Sequence, residues 1–167
     1  MIKPLQHLLI FMLLGFSASA FSASAFSATG PRIGEYAPEF NLTDLSGKSH
    51  TLAELRAKGP VLLVFWSTKC HVCHAMIPQF KKVHENNKNL TFVAINVGFE
   101  DKEEVDDYAF EFKLPYLILN EDDKKADVAQ AYRLQGTPTM ELIDADGKVL
   151  YRGHRIPDLD SLLANNN

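Results

Sequence analysis

The chain has 167 residues, 46% of them hydrophobic, with 17 Lys and Arg against 21 Asp and Glu and a formal net charge of −4. That length allows one domain with a sizeable core, the composition is ordinary for a globular protein, and the mild acidity leaves no basic footprint for nucleic acid. The two cysteines, Cys70 and Cys73, stand three apart, which excludes a disulfide-rich scaffold and gathers any thiol chemistry in one place.

Residues 1–25 read as a secretory signal peptide. Lys3 supplies a positive n-region, and Leu8 to Phe16 form an apolar h-region too short for a comfortable membrane span. Ala18-Ser-Ala20 and Ala23-Ser-Ala25 are two A-x-A cleavage candidates. The unit Phe-Ser-Ala-Ser-Ala occurs at 16–20 and again at 21–25, a low-complexity spacer. The alternative is an uncleaved anchor in the inner membrane. Either reading exports the body of the protein, to a periplasm or an equivalent compartment where thiol–disulfide exchange is active. Residues 26–32 read as a linker, 33–163 as one domain and 164–167 as a frayed tail.

Phe40 and Leu42 alternate with polar residues as a half-buried strand does. Asp44 to Lys48 is a turn and Ser49 to Leu52 a second strand, which makes a hairpin. Thr51-Leu-Ala-Glu54 is a capping box opening a short helix that ends near Gly59. Val61 to Trp66 is a continuous apolar run, as in a strand covered on both faces. Val72, Met76, Phe80 and Val83 then recur at helical spacing, so both cysteines fall at the junction, in the first turn of a helix. Pro78 is expected to kink that helix.

This position has a chemical consequence. A helix N-terminus has unpaired N–H groups and partial positive charge, and a thiolate is an anion. Cys70, at the very start, is expected to be the exposed nucleophile; Cys73, one turn in, the shielded resolving thiol. A purely structural disulfide would close almost no loop. A zinc site would have to recruit His71 and His74, since no cysteine remains. Cys70-His71-Val72-Cys73-His74 also matches C-x-x-C-H, the c-type haem attachment pattern.

Leu90 to Val97 is a strong strand. Asp101 and Glu104 read as a cap and its N3 partner, with Val105, Tyr108, Ala109 and Phe112 on the apolar face of the following helix. Glu103, Glu104, Asp106, Asp107 and Glu111 read as its solvated face. Tyr116 to Leu119 is a short strand and Ala126 to Tyr132 a helix ending near Gly136. Gly136-Thr137-Pro138-Thr139 leads into a strand to Ile143, where proline is tolerated at an edge or as the first residue. Asp144 to Lys148 is a hairpin turn, Val149 to His154 the return strand, and Pro157 to Leu163 a terminal helix. The order predicts an α/β fold: a central mixed sheet with helices on both faces.

Two motifs in this order, Phe65-Trp66-Ser-Thr-Lys-Cys70-x-x-Cys73 with the helix proline at 78, and Gly136-Thr-Pro-Thr139, resemble the thioredoxin superfamily. Ala37-Pro-Glu-Phe-Asn-Leu-Thr-Asp-Leu-Ser-Gly-Lys48 is similar to the redoxin-type N-terminal hairpin of its TlpA/ResA-like exported branch, and the extra helix and strand at 101–119 are similar to that branch's insertion. The resemblance covers about 33 to 163. It implies a thioredoxin-like fold, a cis Thr137–Pro138 bond beside the cysteines, and an exposed loop backbone that pairs with an extended substrate segment. Thr137 would contact the sulfurs and the partner, and Trp66 would pack beside the site.

The sequence also departs from that family. Val64 stands where thioredoxins carry a buried acid, and Met76 where ResA-like reductases carry a glutamate. His71 and His74 stand close by instead. An imidazolium near a thiolate lowers the thiol pKa and stabilises the reduced form, which predicts a potential above that of thioredoxin; the alternative is that both histidines are merely solvated, as exposed His near a helix start commonly is. The peroxiredoxin site Pro-x-x-x-Thr-x-x-Cys is absent. The expected function is an exported protein thiol–disulfide oxidoreductase with Cys70 and Cys73 catalytic and Trp66, His71, His74, Thr137 and Pro138 supporting. It needs no metal or other cofactor, since the Cys pair is the redox centre. Its partners are protein thiols or disulfides and a membrane redox protein, it works as a monomer, and its roles are cytochrome c maturation or envelope redox homeostasis. The alternative is a copper- or haem-binding protein using Cys70, Cys73, His71 and His74.

Overall fold

The architecture comes from a computed structural model, which describes residues 30–121 and 127–164. The segment read as a signal peptide, the first residue expected of the fourth helix (Ala126) and residues 165–167 lie outside that range.

The elements run β1 (Asn41–Asp44), β2 (Ser49–Thr51), α1 (Leu52–Arg56), β3 (Val61–Trp66), α2 (His71–Asn86), β4 (Thr91–Asn96), α3 (Lys102–Glu111), β5 (Leu117–Asn120), α4 (Asp127–Ala131), β6 (Thr139–Ile143), β7 (Val149–Gly153) and α5 (Leu159–Ala164). The strands form one seven-stranded sheet in the order β2-β1-β5-β4-β3-β6-β7. β3, β4 and β5 are parallel; β1, β2, β6 and β7 join antiparallel.

β3 sits at the centre because all six of its residues are buried, and a strand with no polar face must be covered on both sides. The side-chain alternation of a strand sorts them. Val61, Leu63 and Phe65 join a core layer with Leu52 and Leu55 of α1, Val128 of α4 and Tyr132. Leu62, Val64 and Trp66 join the opposite layer with Cys73 and Phe80 of α2, Val105 of α3 and Leu159 of α5. Helices therefore cover both faces, as the sequence predicts.

The helix starts follow their capping chemistry. Thr51 accepts from the Glu54 N–H while the Glu54 side chain returns to the Thr51 N–H, a complete capping box. Asp101 accepts from the Glu104 N–H at 2.9 Å. Three sequence expectations change. The apolar stripe of α2 runs through Cys73, Ile77 and Phe80, while Val72 is 57% exposed. Counted as a small hydrophobe, Cys73 begins the i, i+4, i+7 stripe that buries the helix, and this turns Val72 outward. β6 lies inside the sheet, so Pro138 is placed ahead of the first strand residue and not at an edge. The last helix begins at Leu159, with Asp158 accepting from the Ser161 N–H, and Pro157 stays outside it. Gly30 and Pro31 are buried, so packing begins ahead of Ile33.

Candidate active site

The three parallel strands end at Trp66, Asn96 and Asn120, and the loops leaving β3 and β4 gather at this carboxyl edge of the sheet, where open α/β sheets place their sites. β6 enters at the same edge from the other side. Phe65 pairs with Thr139, so one register step further Pro138 faces Trp66.

Cys70 is the N-cap of α2 and Cys73 lies in its first turn. The two are joined by a disulfide with S–S 2.07 Å and Cα–Cα 5.2 Å. Cys70 is half-buried, whereas Cys73 is 2% exposed. The Cys73 N–H points at the Cys70 sulfur at 3.1 Å, and the Cys70 carbonyl accepts from the His74 N–H at 3.0 Å. Cys70 therefore holds the place that a capping oxygen holds elsewhere. A thiolate formed there meets a free helical N–H and the positive end of α2. The arrangement separates an accessible sulfur from a shielded one.

The loop that presents Cys70 is fixed from below by a residue that the sequence reading did not single out. Glu100, 3% exposed, lies in the β4–α3 loop. Its Oε1 accepts from the Ser67 hydroxyl at 2.6 Å and the Thr68 hydroxyl at 3.0 Å, and its Oε2 accepts from Asn96 Nδ2 at 3.0 Å. Burial raises the Glu100 carboxyl pKa, but the bonds from Ser67, Asn96 and Thr68 outweigh it and hold the group below its ordinary value. Ser67 in turn receives the Lys69 N–H on its hydroxyl and the Cys70 N–H on its carbonyl, both at 3.1 Å. Glu104 of α3 shares the single Thr68 hydroxyl hydrogen with Glu100, from the nearer distance of 2.7 Å, and pairs with Lys69 at 3.7 Å, so it is more than part of a solvated face. Only the run of acids at 100–107 hinted at this, and in sequence Glu100 cannot be told from its neighbours.

Trp66 is 5% exposed and its ring lies against Tyr108 of α3, with centroids 5.2 Å apart. It both fills the core and backs the site. His71 is exposed at the helix start. His74 is also exposed; its Nδ1 lies 3.2 Å from the Tyr108 hydroxyl and its ring meets Phe112 edge-on at 4.6 Å. Burial, with the Glu111 carboxylate adding to it, pushes the Tyr108 phenol above its ordinary value, so it stays neutral and can donate. Lys81 of α2 also reaches the Phe112 carbonyl at 2.7 Å, which ties α3 to α2.

The Thr137–Pro138 bond is cis. Thr137 is half-buried and Pro138 buried. His154 holds this turn: its Nδ1 lies 2.7 Å from the Pro138 carbonyl, and since a carbonyl can only accept, that nitrogen carries the hydrogen. The Thr139 hydroxyl donates to the Gly136 carbonyl at 2.7 Å. Among the described residues no group of three or more His, Cys, Asp and Glu is placed to hold a metal ion, and no helix is long and apolar enough to cross a membrane.

Residues 33–152 match the model of the AhpC/TSA family. The chain is 37% identical over 123 residues to the thiol-disulfide oxidoreductase ResA of Geobacillus thermodenitrificans, which covers 72% of this chain and 68% of that protein. Among solved structures it is similar to the thioredoxin domain of a thiol-disulfide oxidoreductase from Bacteroides vulgatus, with TM-score 0.70, 25% identity, and coverage of 81% of this chain and 97% of that one. A thiol:disulfide interchange protein from a Bacteroides species aligns with TM-score 0.68, 27% identity, and coverage of 81% and 90%.

Proposed function

The chain belongs to the AhpC/TSA family and is a TlpA/ResA-like member of the thioredoxin superfamily, and from that premise we propose that it is an exported protein thiol–disulfide oxidoreductase. The observation that carries this reading is the Cys70–Cys73 disulfide at the N-cap of α2, with one sulfur accessible and the other buried. In the reducing direction the Cys70 thiolate attacks a partner disulfide, and one partner sulfur leaves as thiolate. Cys73, losing its proton, then displaces the other. The products are the Cys70–Cys73 disulfide and two partner thiols; oxidation of a partner is the reverse. The two electrons reside in the sulfur pair, so the exchange needs no cofactor.

The supporting roles follow from position. The cis Pro138 turn, beside β3, offers backbone to an extended partner segment, with Thr137 nearest the sulfurs. Trp66 and Tyr108 back the site. His71 and His74 add positive charge near Cys70 when protonated, which favours a potential above that of thioredoxin. Residues 33–163 form the working domain, a monomer, delivered by the leader to a periplasm-like compartment. There a membrane redox protein resets it, and cytochrome c maturation or general envelope redox homeostasis is its setting. A copper or haem role for Cys70-His71-Val72-Cys73-His74 is not favoured, because Cys73 is buried on the core-facing side of α2 and the His74 ring is turned onto Tyr108 and Phe112.

The test is a trap. Cys73→Ala is expected to accumulate mixed disulfides through Cys70, and Cys70→Ala to accumulate none. Absence of adducts in both variants sinks the exchange mechanism. Equilibration of the parent with glutathione gives the direction: about −120 to −180 mV marks an oxidant, about −270 mV or below a reductant.

A further inference from the structure

Two side chains from the β4–α3 segment, Glu100 and Glu104, converge on the loop between β3 and α2, and Asn96 braces Glu100 from behind. None of them touches a cysteine, yet they fix the turn from which Cys70 projects. We propose that Glu100 is a positioning residue for exchange at Cys70, acting through Ser67 to hold the Cys70 sulfur on the Cys73 N–H; the proposal rests on the thiol–disulfide reading above.

The geometry runs in one unbroken path. The Glu100 carboxylate takes the Ser67 hydroxyl hydrogen at 2.6 Å. That fixes the Ser67 oxygen as the acceptor for the Lys69 N–H, and the Ser67 carbonyl as the acceptor for the Cys70 N–H. With its own N–H satisfied toward the loop, Cys70 can turn its sulfur to the Cys73 N–H, the last N–H of α2 before the intrahelical bonds begin at His74. Glu100 is itself over-determined. Asn96 donates to its second oxygen, and the Asn96 carbonyl oxygen accepts from the Gly98 N–H at 3.3 Å, which closes the loop behind it. Between these bonds Phe99 takes a left-handed φ of 60° and turns outward, 58% exposed. For a bulky residue that backbone is costly, and it is what brings a buried carboxylate under the turn so soon after β4 ends.

The bond from Cys73 N–H to sulfur strengthens when the sulfur is a thiolate, so holding the turn favours the reduced, reactive form. A carboxylate serving only to stabilise the fold supports the oxidised and reduced states alike and leaves their balance unmoved. This difference makes the proposal testable.

The experiment uses the leaderless parent, Glu100→Ala, Ser67→Ala and the double variant, each verified as folded by near-UV circular dichroism. Two quantities are read: the iodoacetamide alkylation rate of Cys70 in the reduced protein at pH 7, and the equilibrium constant for reduction by glutathione. Each single variant is expected to lower both by at least fivefold, and the double variant to fall no further than Glu100→Ala alone. Values within twofold of the parent, an increase, or losses that multiply in the double variant overturn the proposal. If Glu100→Ala does not fold, Ser67→Ala alone decides by the same thresholds. A parent that shows no exchange refutes the function itself; a parent that exchanges beside variants that match it refutes only the role of Glu100.

Discussion

Gly98→Ala is a severe test of how firmly the Glu100 carboxylate is seated. The Gly98 backbone is not left-handed, so the substitution is judged on space alone. An added Cβ would land on the Glu100 carboxylate, 2.5 Å from its Cδ and closer to both oxygens. An unrestrained carboxylate would swing aside cheaply. This one accepts from Ser67, Thr68 and Asn96, and swinging aside breaks those bonds. Glu104 can keep the Thr68 hydrogen, so two full bonds are lost; at roughly 1.5–3 kcal/mol for each bond to a charged acceptor that is about 3–6 kcal/mol, and return of the carboxylate to water offsets part of it. The expected cost is about 2–4 kcal/mol, read as a lower urea midpoint of the oxidised protein at unchanged slope. Glu100→Ala removes the obstacle, so adding Gly98→Ala to it is expected to cost under about 0.5 kcal/mol more. A Gly98→Ala protein within about 0.5 kcal/mol of the parent refutes the seating, as does full additivity in the double variant.

Two further predictions concern the hairpin and the strained loop. Asp44 accepts from the Ser46 hydroxyl at 2.6 Å, from the Ser46 and Lys48 N–H groups and from His50 Nε2 at 2.8 Å, and the Ser46 bond leads in holding its carboxyl well below the ordinary range against the opposing effect of burial. A depressed carboxyl stabilises the fold above its unfolded pKa of about 3.9 and loses that contribution progressively as pH falls from there toward the much lower folded value, so urea midpoints between pH 5 and pH 2 are expected to drop more steeply for the parent than for Asp44→Asn; parallel curves would contradict this. Phe99→Gly relieves a left-handed backbone worth about 1–2 kcal/mol and adds an entropy cost of about 0.5–1 kcal/mol, so a small net gain in stability is expected in urea melts. A loss above about 1 kcal/mol would show that the ring packs against something and that its exposed position is misread.

Most of the fold is legible in the chain because its signals are local. The six apolar residues of β3, the capping box at Thr51 and Glu54 and the Asp101 cap each state their own structure within a few positions. The cysteine junction is legible for the same reason, since the apolar run stops where the helical spacing starts. Of the expected α2 stripe, Phe80 is buried and Met76 and Val83 pack partly against the same core; Val72 alone faces solvent, because Cys73 takes its place as the apolar residue of the first turn. Glu100 and Glu104 were beyond reach. Their work depends on the β4–α3 loop folding back under Ser67 and Thr68, and an acid in a run of acids carries no mark of the one that is buried. Val64 and Met76 leave the site without an acid from β3 or α2, and the carboxylate beneath the turn comes instead from the next crossover.

The two crossovers that leave β3 and β4 supply the site jointly: one brings the sulfurs, the other brings Glu100, Glu104 and Tyr108. A chain in which β4 has not yet docked on β3 carries the same pair of thiols with none of that support. The turn ahead of its Cys70 then lacks the bonds that Glu100 and Glu104 make to Ser67 and Thr68. The turn that presents Cys70 is thus completed only when the parallel strands close, and the site comes into being together with the sheet.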